Sequence, residues 1–131
     1  MRRPEEALHR ACVAYLRANL PEPWLCWHSA NGGGRSKAEA GIFKALGVLA
    51  GMPDLFLLGP GPNLLAIEFK APPRRLRSGR LSDAKPRLNP AQRSIQAVLG
   101  LCGVPYLIVD DMAEMIRTLQ SLGVPLKGRA M

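Results

Sequence analysis

Asp54 and, fourteen residues later, the triplet Glu68-Phe69-Lys70 are charged interruptions of two apolar runs. Two carboxylates offer oxygen ligands to a hard divalent cation, and an ammonium beside them offsets negative charge. That is equipment for cation-assisted hydrolysis of a phosphodiester. The runs themselves, Leu55-Phe56-Leu57-Leu58 and Leu64-Leu65-Ala66-Ile67, are joined by Gly59-Pro60-Gly61-Pro62-Asn63 and read as two short strands about a turn. Side chains alternate faces along a strand, so Glu68 and Lys70 share one face while Phe69 takes the other. With Asp54 at the head of the neighbouring strand, its carboxylate falls beside Glu68, and the Phe69 backbone carbonyl is a further oxygen for the same cation. Lys70 would orient an attacking water or offset developing charge. An E-x-K alone equally describes an exposed ion pair on an edge strand, so the weight comes from its surroundings.

Those surroundings are basic. The chain carries a net charge of +8, and between Lys70 and Arg93 lie eight basic residues against the single acid Asp83. Arg74, Arg75, Arg77, Arg80, Lys85 and Arg87 fall in a Pro-, Ser- and Gly-rich loop over about 71–88. Such a segment beside a metal site favours a polyanion, because lysine and arginine displace counterions from phosphates. A solvated loop is the plainer alternative. None of the seven aromatic residues lies in this segment, which argues against base stacking on an aromatic platform.

The elements that must position these groups follow from periodicity and caps. Leu8, Cys12, Tyr15 and Leu16 share one side of a helix over 4–19 with Arg10 and Arg17 opposite, and Pro21 and Pro23 end it. Trp24 to His28 is a first strand, followed by the turn Asn31-Gly32-Gly33-Gly34. Ser36 and Glu39 have capping-box spacing for a short helix closed at Gly47. Asn89-Pro90-Ala91-Gln92 is a helix start, with Asn as cap, Pro at the first position and Gln able to reach back to the cap amide. Ile95, Val98, Leu99 and Leu101 would form its buried side. Val104 to Val109 is the last strand, and Asp110 or Asp111 caps a final helix to about Leu122. The order helix, strand, short helix, two strands, helix, strand, helix predicts an α/β domain with a mixed sheet flanked by helices.

A chain of 131 residues fits one domain, residues 1–131. No apolar stretch approaches a membrane span, and the amino-terminal residues lack a signal-peptide core, so the expectation is a cytoplasmic protein with no membrane partner. Cys12, Cys26 and Cys102 are far apart in apolar contexts and are expected to be buried thiols, not a zinc site or disulfides.

Together these motifs resemble the virus-type replication and repair nuclease domain of the PD-(D/E)XK superfamily, over nearly the whole chain. The resemblance rests on Glu5 with His9, His28-Ser29-Ala30-Asn31-Gly32-Gly33 with Arg35, Gly47-Val48, Gly51-Met52-Pro53-Asp54-Leu55, Ile67-Glu68-Phe69-Lys70 and Leu88-Asn89-Pro90-Ala91-Gln92. It implies a restriction-endonuclease-like fold and a Mg²⁺- or Mn²⁺-dependent DNA endonuclease. Branched, flapped or junction DNA in replication, recombination or repair would be its substrate, and a homodimer would supply two sites. It further implies Asp54, Glu68 and Lys70 as the catalytic core, Glu5 as an added metal ligand and Gln92 as an accessory group. Glu6 competes with Glu5 for that role, and a cap alone would explain Gln92. His28 would contact phosphate or donate a proton, or serve structure only. The chain departs from the family pattern in its long basic loop, where Gly79-Arg80-Leu81-Ser82 repeats the motif before the glutamine and would put Lys85 in its place. A non-catalytic DNA-binding module on the same fold is the alternative.

Overall fold

The computed structural model describes residues 3–29, 36–80 and 88–127. Arg35, Lys85, Arg87 and the 31–34 turn lie outside them. The elements run α1 (Arg3–Asn19), β1 (Leu25–His28), α2 (Lys37–Ala45), β2 (Leu55–Gly59), β3 (Asn63–Phe69), α3 (Pro90–Leu101), β4 (Tyr106–Val109) and α4 (Met112–Ser121), in the order expected. The four strands form one mixed sheet in the order β1-β2-β3-β4, with antiparallel pairs β1–β2 and β2–β3 and a parallel pair β3–β4. The chain therefore has an α/β fold.

One sheet face is closed by α1 and α4. Leu55 and Leu57 of β2, Leu65, Ile67 and Phe69 of β3, and Leu107 and Val109 of β4 meet Cys12 and Leu16 of α1 and Met115, Ile116 and Leu119 of α4 there. Period-two alternation sends Ala66, Glu68 and Lys70 to the opposite face, where register places Phe56 beside Ala66 and Ile108 beside Glu68. Asp54, one residue before β2, continues that register to Glu68.

The caps form as the sequence indicates. Ser36 and Asn89 each complete a capping box, with Glu39 and Gln92 respectively, and Asp111 accepts from the Glu114 amide to start α4. Gly47 closes α2 with a left-handed φ of 97°.

Two expectations are corrected. α3 has no buried residue; Val98 is 55% and Leu101 90% exposed, while Ile95 and Leu99 are half-buried. The body of the helix lies against β4, with only the Gln92 side chain in its first turn reaching β3, so an apolar stripe wider than that contact faces outward. The cysteines also separate: Cys12 is buried, Cys26 is half-buried and Cys102, at the α3 C-cap, is exposed. Burial pushes the Cys12 thiol up to about 12, which makes it a packing group and not a nucleophile.

Truncating Leu57, fully buried between the layers, should cost about 2–5 kcal/mol. Leu101→Ala should change stability by no more than about 0.5 kcal/mol. Urea unfolding midpoints of the two variants measure both, and equal losses would contradict the layering described.

Candidate metal centre

Three carboxylates converge at the end of the sheet where β3 finishes. Oxygen atoms of Glu5, Asp54 and Glu68 lie within 4.8 Å of one another. Among the described residues this is the one such grouping of acidic, His or Cys side chains. Glu5 comes from the first turn of α1, and the choice left open by sequence is decided by the helix: Glu6 points elsewhere and pairs with Arg10 at 2.9 Å.

Asp54 is only 6% exposed and is held from several directions. Its Oδ2 accepts from the Phe69 amide at 2.9 Å. Its backbone carbonyl accepts from the Ser29 amide at 3.0 Å and from His28 Nδ1 at 2.6 Å. The His28 contact thus goes to the backbone of a site residue. His9 stacks on Phe69 and meets the edge of the His28 ring at 5.0 Å, so α1 and β1 both brace this corner. Burial holds the His9 imidazole below its ordinary value, against the opposing pull of the Asp54 charge.

Glu68 is 3% exposed. Its Oε2 accepts from Gln92 Nε2 at 3.1 Å and lies 3.7 Å from Lys70 Nζ. Its Oε1 is buried with no hydrogen-bond partner. A buried carboxylate oxygen left unpaired is expensive, and a divalent cation held with Glu5 and Asp54 would satisfy it. Oxygen donors alone, without thiolate or imidazole, suit Mg²⁺ or Mn²⁺ better than zinc.

Gln92 serves as cap and site group at once. Its Oε1 accepts from the Asn89 amide at 3.0 Å, completing the capping box, and from Lys70 Nζ at 3.3 Å, while Nε2 reaches Glu68. One amide therefore ties the start of α3 to Glu68 of β3 and to Lys70 just after it. The helix start is placed by close packing: a Cβ on Gly51, whose φ is 83°, would lie 2.5 Å from the Ala91 carbonyl carbon. Only glycine fits there.

The basic loop has its own local structure over 71–80. Arg75 bonds the Gly79 carbonyl and the Leu76 amide donates to the Arg80 carbonyl, while Arg74, Arg75, Arg77 and Arg80 remain exposed. These contacts shape a turn after Lys70 without joining the carboxylate cluster.

Tyr106 was not legible as part of this region. On β4 it pairs with Ala66, on the sheet face that carries Glu68. Its hydroxyl is buried without a partner, and burial followed by the charges of Glu68 and Asp54 raises its pKa. Only strand register brings it near, and no spacing within the sequence signals that.

The chain matches no family model, no curated protein and no solved structure with which it was compared.

Burial, and next the Asp54 charge, push the Glu68 carboxyl from 4.5 up to about 8, with Lys70 pulling the other way. The folded value is raised, so the proton stabilises the metal-free fold fully below about 4.5, and this contribution is lost as pH rises through about 8. A cation must displace the same proton, so its affinity should climb over that interval and level off above it. The melting temperature of the metal-free protein should therefore fall across this range and Glu68→Gln should flatten the profile; a slope unchanged in the variant would assign the proton elsewhere. Gln92→Ala, which releases both Glu68 and Lys70, should weaken Mn²⁺ binding roughly 10–100-fold by calorimetric titration.

Proposed function

We propose that the chain is a Mg²⁺- or Mn²⁺-dependent deoxyribonuclease of the PD-(D/E)XK type, resembling the virus-type replication and repair nucleases, that hydrolyses phosphodiesters in branched, flapped or junction DNA. The observation that carries this reading is the cluster of buried Asp54 and Glu68 with half-buried Glu5, with an unpaired Glu68 oxygen and the Lys70 ammonium beside it. Neither an ordinary surface ion pair nor an apolar core requires that arrangement.

Glu5, Asp54 and Glu68 would hold the cation, with the Phe69 carbonyl as an additional oxygen. The bound cation supplies positive charge that polarises a phosphoryl oxygen and makes water more acidic. Lys70, held at its distal end by Gln92, presents an ammonium where negative charge develops during phosphoryl transfer. Gln92 keeps the lysine from collapsing fully onto Glu68 by accepting a hydrogen bond from it. The Asp54 carboxylate is prevented from rotating by the Phe69 amide, so little reorganisation is required on binding. His28, bound to the Asp54 carbonyl, takes the role of positioning that residue. The exposed arginines at 74, 75, 77 and 80 supply counter-charge to DNA leaving the site.

The partners in this reading are DNA and a second copy of the chain, which would present two centres to two strands. Exposed Leu46, Leu49 and Leu101 provide apolar surface for such a copy to cover. Among the described residues no helix is long and apolar enough to cross a membrane.

Purified protein incubated with flapped, branched and linear DNA should cleave in Mg²⁺ or Mn²⁺ and stop in EDTA. Asp54→Ala and Lys70→Ala should each lower the rate by at least about 100-fold. Cleavage that persists in either variant would remove the mechanism. Salt-sensitive, metal-independent DNA binding with no cleavage would instead identify a binding module on this fold.

A further inference from the structure

Beside the metal centre a groove of about 550 Å³ runs between α1 and the end of β1. Its helix wall is the stripe Glu6, Arg10, Val13 and Arg17, spaced at i, i+4, i+7 and i+11, which begins one residue after the Glu5 ligand. At 1.5 Å per residue it runs about 16 Å away from the cluster. His9 and His28 stand at the near end of the groove, the first stacked on Phe69 and the second bonded to the Asp54 carbonyl. The groove is therefore continuous with the residues that brace the site.

Its charge pattern fits a phosphate backbone. Arg10 and Arg17 are exposed at two heights seven residues, or about 10 Å, apart along the helix. Glu6 is the one acid in the lining and pairs with Arg10 in an exposed contact, the kind that opens at little cost. Val13 and Ala14 make an apolar floor against which sugars can lie. Among the described residues the lining holds no Trp, Tyr or Phe, and its two imidazoles are engaged with Phe69 and the Asp54 carbonyl, which suits a channel that tracks a backbone more than one that reads bases.

We propose that this groove carries the single-stranded arm of the DNA away from the metal centre, with Arg10 and Arg17 on two of its phosphates. This rests on the nuclease reading and assigns it a strand path separate from the basic loop after Lys70.

The test uses the Asp54→Ala protein, in which DNA can be bound without being cut, with and without Arg10→Gln and Arg17→Gln. Arg10 makes an exposed pair with Glu6 and exposed Arg17 lies against the Cys26 thiol, surface contacts whose loss should move the melting temperature little. For a flapped substrate, loss of two single-strand phosphate contacts should reduce the slope of log K against log salt by about 1.4. A blunt duplex should be bound as before. Glu6→Gln should move affinity for the flap in the opposite direction, upward. Equal losses on flap and duplex, or an unchanged slope, overturn the strand path even if the wild type cleaves. If the wild type cleaves no DNA, the nuclease reading fails and the path fails with it.

Discussion

Asp54 and Glu68 are carboxylates buried beside each other, and the cost of charging both in a low-dielectric corner organises what surrounds them. A proton on Glu68, the Lys70 ammonium, the Phe69 amide and the Gln92 amide each lessen that cost, and no neighbouring N–H reaches Glu68 Oε1. A cation is the group that would relieve the repulsion and the orphaned oxygen together. A cation held there would compete with that proton for Glu68, so its binding would depend on pH.

The scaffold sustains this tension by making the neighbouring layer apolar and rigid. On the face closed by α1 and α4, β3 contributes Leu65, Ile67 and Phe69, while Ala66, Glu68 and, just past the strand, Lys70 turn to the opposite face. Phe69 belongs to both worlds: its ring packs in the core against His9 and its amide fixes Asp54. Movement of β3 within the core would therefore be felt directly at the carboxylates.

α3 shows how a local signal can be correct and still incomplete. Asn89-Pro90-Ala91-Gln92 announces a capped helix, and that helix forms. Its apolar residues at 98 and 101 nevertheless face solvent, because periodicity describes a helix's own surface and says nothing of how wide a partner lies opposite. Gln92 posed a choice between cap and site that local pattern could not resolve. In space the choice disappears, since one amide has enough donors and acceptors for Asn89, Lys70 and Glu68 together. Cys102 misled for the same reason as Leu101: apolar neighbours in sequence do not ensure burial at a helix end.

The sequence by itself determined the element order, the caps, the turn between β2 and β3, and the sharing of one face by Glu68 and Lys70, because all of these follow from spacing over a few residues. The tertiary structure decided which first-turn acid of α1 joins the carboxylates, that Gln92 bridges Lys70 and Glu68, and that Tyr106 and His9 stand at the site. Those are contacts between segments distant in sequence, set by helix rotation, strand register and the close approach of Gly51 to α3, and such quantities are fixed only when the layers pack.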